Sequence, residues 1–340
     1  MITIFNPHED IERKSLLILR ALSESPEPIG SRLIARRMQE LGSSLSERAV
    51  RYHLKLMDER GLTRLVGARD GRVITEQGLD ELRKARVQDK VGLAISRIEI
   101  LSYQTTFHPD TRQGLLPVNL SFFRKATFPA VLKCMKPVFD AGFAVSRRVA
   151  VADEGQRLGG IMVPAGKMGL ATVCSLVVNG ILLKSGIPMD SKFGGILEVK
   201  DRRPLRFAEL IYYSGSSLDP SEVFIRGNMT SVGDTVQYGE GMILANFREI
   251  PALCYGLTQN LLDKLQAADI NGVLVMGAIS EPVCQIPVDI NKMGIILLGG
   301  LNPSAFVRES GMDVENMGMS TVMDYTELMP YQEILERYSA

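Results

Sequence analysis

The sequence predicts an α+β protein in which an N-terminal winged helix-turn-helix precedes a duplicated mixed α/β domain with pseudo-twofold halves. Three observations carry this. The stretch from residue 10 to residue 86 runs helix, helix, helix, strand, glycine-containing tip, strand, helix. Beyond about residue 92 the texture shifts to short apolar runs with many glycines and methionines. Within that second part the chain repeats itself over about 120 residues.

The first helix is written in "DIERKSLLILRALSES", with Ile11, Leu16, Leu17, Leu19 and Leu22 apolar. The second, "SRLIARRMQELG", follows the break "SPEPIG" and turns Leu33, Ile34, Met38 and Leu41 inward. In the third, "SERAVRYHLKLMDERGL", Val50, His53, Leu54 and Met57 fall at i, i+3, i+4 and i+7 and form one packing face. Arg48, Arg51, Tyr52 and Lys55 repeat that spacing on the opposite side. Ser44 followed by Glu47 predicts a capping box, and Gly61 predicts the stop. "LTRLV" and "VIT" then read as two short strands around the tip "GARDGR", and Thr75 caps "EQGLDELRKARV".

A basic helix face alone is ordinarily a solvated one. Here its neighbours make a winged helix, whose third helix lies in a DNA major groove. From Arg32 to Arg72 there are ten basic residues against five acidic ones. The whole chain, with 39 Lys plus Arg and 39 Asp plus Glu, is neutral, so only this local patch attracts a phosphate backbone. Arg48 and Arg51 are expected to read bases. Arg36, Arg37, Lys55, Arg64, Arg69 and Arg72 are expected to meet phosphates, with Tyr52 on the same face. His53, on the apolar side, is expected to be buried.

At 340 residues and 45% hydrophobic content the chain buries two or three domains' worth of core. The four cysteines form no CxxC pair, and the three histidines cluster with none of them, which argues against a zinc site and suits a reducing compartment. The opening "MITIFNPHEDIERK" has no secretory pattern, and the longest uncharged apolar stretch, 168–183, is shorter than a membrane span. A cytoplasmic location without membrane contact is expected.

The expected domains are a winged helix over 10–86, a linker over 87–96, and an effector-binding domain over 97–330 with halves at about 97–206 and 207–330. "FPAVLKCMKPVFDAG" at Phe128 resembles "IPALCYGLTQNLLDKLQ" at Ile250, and "VPAGKMGLATV" at Val163 resembles "IPVDINKMGIILL" at Ile286. "RIEILSY" at Arg97 and "FAELIYY" at Phe207 also align. Gly169 precedes Gly186, and Gly294 precedes Gly311, by the same seventeen residues. Two face-to-face halves predict a cleft between them for a small molecule. The repeated "KMG" turns present Lys167 and Lys292, each able to neutralise one carboxylate of a dicarboxylic ligand.

Catalytic signatures are missing. There is no GxxxxGK[ST], HExxH or GxSxG, "GEGMIL" at Gly239 is an incomplete GxGxxG, and "DRRP" at Asp201 is a charged turn. No catalytic residue, metal ligand or cofactor is expected. The alternatives are an enzyme acting on a metabolite with a winged-helix arm, or a winged helix used for protein interaction or RNA binding.

"RAVRYHLKLMDERGLT", "GKMGLATVCSLVVNGILLKSGIP" and "INKMGIILLGGLNP" together resemble the NrpR family, repressors of nitrogen-assimilation genes in archaea and some bacteria, from about Glu12 to Met329. The resemblance implies a homodimer on a palindromic double-stranded operator, released when 2-oxoglutarate binds the regulatory domain. It also implies that Cys174, Asn179 and Gly180 belong to the effector pocket or its wall. Some family members carry two regulatory domains, and this length suffices for one. "RKARVQDKVGLAIS" (83–96) is the expected path from effector to DNA-reading helix.

Overall fold

α1 (Pro7–Ser23), α2 (Ser31–Glu40) and α3 (Glu47–Glu59) each turn one apolar stripe inward, and the stripes meet in a common core of Ile18, Leu19, Leu22, Ile34, Met38, Val50, Leu54 and Met57. The computed structural model describes residues 7–25, 27–40, 45–67, 71–84 and 92–339. It divides into two units, Met1–Val91 and Gly92–Ala340. In the first, α3 ends as its sequence dictates. Gly61 takes a φ of +71°, its N–H reaching Asp58 and the N–H of Leu62 reaching Met57, which closes the last turn with two bonds. The start differs from expectation. Ser44 lies outside the described residues, and the cap is Ser46, whose hydroxyl accepts from the Ala49 N–H at 3.2 Å. Glu47 instead accepts from the Ser31 hydroxyl at 3.2 Å and pairs with Arg51 at 3.3 Å. β1 (Thr63–Gly67) and β2 (Gly71–Ile74) pair antiparallel as the wing, and Thr75 caps α4 (Glu76–Lys84) through the Gly78 N–H.

The second unit starts with α5 (Leu93–Gln104), so four residues assigned to the linker are helical. Then follow β3 (Leu115–Arg124), α6 (Phe128–Asp140), β4 (Arg148–Asp153), the small ribbon β5 (Arg157–Leu158) and β6 (Ile161–Met162), β7 (Lys167–Val173), α7 (Leu176–Lys184) and β8 (Asp190–Lys200). The chain continues as β9 (Arg203–Tyr212), α8 (Pro220–Arg226), α9 (Val232–Tyr238), β10 (Gly241–Pro251), α10 (Tyr255–Ala267), β11 (Val273–Ile279) and β12 (Lys292–Leu298). It ends with α11 (Asn302–Glu309), β13 (Glu315–Asp324), β14 (Met329–Pro330) and α12 (Tyr331–Ser339), nine residues past the expected limit of 330. The uncharged stretch 168–183 is therefore a strand and a helix.

Two five-stranded antiparallel sheets result, ordered β13-β3-β7-β4-β14 and β11-β12-β10-β8-β9. The ladders display the duplication. Arg124 sits opposite Lys167 as Pro251 sits opposite Lys292, and Asn119 opposite Thr172 as Asn246 opposite Leu297. The last strand of each copy crosses into the other copy's sheet, β8 beside β10 and β13 beside β3. Each half thus completes its neighbour's sheet, and a cut at 206/207 would fall inside β9. The halves are therefore interlocked and not two separate lobes facing each other across a gap.

Two repeat assignments need correction. Phe128 and Pro129 begin helix α6, whereas Ile250 and Pro251 end strand β10, so the matched words are five residues out of structural register. "RIEILSY" is helix α5 and "FAELIYY" lies in strand β9, so these segments are not equivalent at all. The KMG lysines and the glycine-terminated helices do correspond: Gly186 and Gly311, two residues beyond α7 and α11, have φ of +77° and +80°.

Candidate functional site

On α3, Arg48, Arg51, Tyr52 and Lys55 are all exposed, and Val50, His53, Leu54 and Met57 are all buried. The two-faced helix of the sequence is present. Arg36 on α2 and Arg64 on β1 are exposed as well, and Arg69 lies outside the described residues. Two arginines expected at phosphates are engaged internally. Arg37 donates from Nη1 to the Ala21 carbonyl at 2.9 Å, tying α2 to the end of α1. Arg72 pairs through Nε with Asp58 at 2.8 Å, and Asp58 also accepts from the Thr63 hydroxyl, so one carboxylate holds the end of α3 against both wing strands. Arg37 thus braces α2 against α1, and Arg72 braces the wing against α3.

In the second unit the expected lysines are spent. Lys167 Nζ pairs with Glu315 at 2.5 Å, and Lys292 Nζ with Glu249 at 3.0 Å and Asp190 at 3.2 Å. Glu315 opens β13 and Asp190 opens β8, the two exchanged strands. Each KMG lysine thus pins the first residue of the strand arriving from the other copy. Lys192 joins Glu249, which is only 2% exposed, at 3.0 Å. The hydrogen bond that Lys292 donates to Glu249 foremost holds its ammonium above its ordinary range. Both KMG lysines are thus ion-paired within the fold.

Where the copies interlock, the centre holds a cavity of about 20 Å³, room for one water, lined by residues that include Asn119, Cys174, Ser175, Tyr213, Asp219, Asn246, Arg248 and Met319. Asn119 and Asn246 are equivalent positions on the central strands β3 and β10. Arg248 is the asymmetric element, since its equivalent in the first copy is Ser121. Arg248 is 1% exposed, and among the described residues no carboxylate lies within 4 Å of its guanidinium. It has two long hydrogen bonds, Nε to Asn179 at 3.4 Å and Nη1 to the Phe247 carbonyl at 3.3 Å, and its charge lies 4.8 Å from the Tyr213 ring centre. Asn119 accepts from the Met319 N–H at 3.0 Å, which points its amide N–H₂ elsewhere, and that nitrogen is buried without a partner. A buried cation and an unused donor on one cavity favour an oxyanion.

The remaining lining is desolvated. Burial pushes the Cys174 thiol up to about 12 and the Tyr213 phenol up to about 12, and Tyr213 donates to Asn246 at 2.5 Å. Burial also raises the Asp219 carboxyl, and burial, followed by the nearby Asp219 charge, raises Glu222 to about 7. The sign of the consequence is fixed. An acid with an ordinary value of 4.5 that holds its proton to about 7 when folded stabilises the fold in acid, and that stability is lost as pH climbs between those values. The loss is of the order of 3 kcal/mol. Glu222→Gln, neutral at every pH, is expected to match the parent's melting temperature near pH 4.5 and exceed it above pH 7; equal melting at pH 8 in differential scanning fluorimetry refutes the assignment.

The structure brings Cys174 to the cavity and puts Asn179 behind Arg248. Gly180 does another job. A Cβ there would meet the Thr105 side chain at 2.4 Å, so this glycine lets α7 lie close to the end of α5. Sequence reading missed Arg248 and Asn119. Their signals were a charged pair, "RE", inside the apolar strand "LANFREIP", and matching asparagines in "PVNLSF" and "LANFRE". Three wider grooves, of about 430 Å³ beside α10, about 780 Å³ beside α9 and about 140 Å³ beside α12, have no buried cation among their described lining residues. Among the described residues no group of His, Cys, Asp and Glu is placed to hold a metal, and no helix is long and apolar enough to cross a membrane.

A winged helix with an exposed basic face, followed by a duplicated domain, defines a transcription regulator as the class of protein. Residues 16–82 match the winged-helix domain of ribonuclease R, and residues 91–330 match the family described as NrpR regulatory domains NRD1 and 2. The chain belongs to the NrpR family of nitrogen regulators. It is 40% identical to the global nitrogen regulator NrpRI of Methanosarcina mazei, over 93% of this chain and 97% of that one. It is 35% identical to the global nitrogen regulator NrpR of Methanocaldococcus jannaschii and 30% identical to that of Methanococcus maripaludis, over 92% of its own length. It spans only 54% of either, about half their length. A nitrogen repressor-like protein from Methanococcus jannaschii superimposes with a TM-score of 0.60 at 26% identity, over 70% of this chain and 98% of that one. These relatives are regulators, not enzymes, and the chain is a nitrogen-related transcription regulator.

Proposed function

We propose that the protein is a DNA-binding repressor of nitrogen-assimilation genes that leaves its operator when 2-oxoglutarate occupies the Arg248 cavity. Arg48 and Arg51 read bases, while Arg36, Lys55 and Arg64 hold phosphates beside Tyr52. Two copies present two such helices to the half-sites of a palindrome, about one helical turn apart. The observation that carries the effector reading is Arg248, a guanidinium 1% exposed with no carboxylate in ion-pair reach. A buried charge in that condition destabilises a fold, and an acidic ligand supplies its missing partner.

The coupling required is modest, since about 1–3 kcal/mol between the two sites weakens operator binding 5- to 150-fold. Fluorescence anisotropy of a labelled operator, titrated with and without millimolar 2-oxoglutarate, tests the reading. The expected result is a weaker operator complex with the metabolite present, and unchanged affinity sinks the effector assignment.

A further inference from the structure

The cavity as folded has room for a single water, so a carboxylate ligand is admitted only if part of the wall moves. The walls differ in how they are held. Asn119 sits on β3, whose ladder with β7 is regular, and Asn246 and Arg248 sit on β10, whose ladder with β12 is regular and whose ladder with β8 skips one residue, Lys192, beside Arg248. The wall carrying Met319 is different. Between Met317, opposite Leu120, and Thr321, opposite Val118, β13 places three residues against the single residue Asn119. This bulge has Met319 in the left-handed region at φ +47°, which a side chain with a Cβ rarely adopts.

What fixes the bulge is a set of side chains from several elements. Asn119 accepts from the Met319 N–H at 3.0 Å, and Glu222 on α8 accepts from the Gly318 N–H at 2.8 Å. The Ser320 hydroxyl accepts from the Leu120 N–H at 2.9 Å. Arg97 on α5 donates from Nε to the Met319 carbonyl at 2.8 Å and from Nη2 to the Ser320 carbonyl at 2.5 Å. α5 also packs Ile98 and Leu101 in one cluster with the cavity residues Cys174, Tyr213 and Met319. It is the first helix after the winged-helix unit, which ends at Val91.

We infer that the Gly318–Ser320 bulge is the movable wall of the ligand cavity, and that Arg97 is the positioning residue that latches it shut and passes its movement to α5. The inference rests on the effector reading above for its regulatory sense, but the latch itself is testable without a ligand. Cys174, 4% exposed on the same cavity, reports the wall, and the half-buried Cys134, Cys254 and Cys284 report general loosening. Alkylation by N-ethylmaleimide, mapped by peptide mass spectrometry on the full chain, is compared in the parent, Arg97→Met, Arg97→Lys and the exposed-site control Arg206→Met. Cys174 is expected to react at least tenfold faster in Arg97→Met, by a smaller factor in Arg97→Lys, and at the parent rate in Arg206→Met, with the other cysteines unchanged. Equal Cys174 rates in all four proteins, or acceleration of all cysteines together, overturns the latch.

Millimolar 2-oxoglutarate then separates the two ideas. Protection of Cys174 in the parent, together with operator release that Arg97→Met abolishes, supports both. A parent without protection refutes the effector reading and leaves the Arg97 effect to stand by itself. Operator release in Arg97→Met at the parent's ligand concentration overturns the transmission through α5.

Discussion

Replacing Arg48 and Arg51 together by alanine is expected to remove sequence-specific operator binding while leaving the winged helix folded. Both side chains are exposed on α3, and among the described residues the one ion pair that either makes, Arg51–Glu47 at 3.3 Å, is an exposed i,i+4 bridge. Such a pair is worth about 0.3–0.5 kcal/mol, too little to alter folding. A bidentate arginine on guanine is worth about 1–3 kcal/mol, so two of them account for roughly 30- to 20,000-fold in affinity for the correct site. Non-specific binding should survive, because Arg36, Lys55 and Arg64 remain. Lys55→Ala, by contrast, is expected to weaken all sequences alike and to lower the salt slope by about one phosphate's share. Anisotropy titrations against operator and scrambled duplex at two salt concentrations, with circular dichroism for folding, make the comparison. A double variant that still prefers its operator excludes α3 as the reading element.

How much of this was legible in the sequence depends on the range of the interaction concerned. The two faces of α3 were legible because a helix repeats within its own four turns, and Val50, His53, Leu54 and Met57 are all buried as their spacing predicts. The internal partners of Arg37 and Arg72, the Ala21 carbonyl and Asp58, were not legible, because they are contacts across the fold that no local spacing reveals. The duplication was legible from "KMG" and the two spacings of seventeen, yet "FP" and "IP" slipped out of register because short apolar words recur in helices and strands alike. Likewise "RIEILSY" and "FAELIYY" share composition but obey different periods in the fold. The exchange of β8 and β13 has no sequence signature. It decides that Lys167 meets Glu315 and Lys292 meets Asp190, so the two lysines pair with the strands arriving from the other copy.

Arg248→Met is expected to produce a repressor that binds its operator normally and no longer answers to the effector. Methionine fills most of the space of the arginine stem without charge, and removing a buried cation that lacks a carboxylate partner removes a desolvation cost. The melting temperature should therefore stay level or rise, and operator affinity without ligand should stay within a few-fold of the parent. Ligand binding should suffer far more, because removing one partner of a buried charge pair costs about 2–5 kcal/mol, or roughly 30- to 5,000-fold in the concentration needed for release. Lys292→Met makes the informative contrast. It deprives Glu249, 2% exposed, of one of its two ammonium partners, so it should lower the melting temperature while leaving the ligand response in place. If Arg248→Met is released at the parent's 2-oxoglutarate concentration and Lys292→Met is not, the carboxylate is bound at the KMG lysines after all, and the exchanged-strand ion pairs must open to receive it.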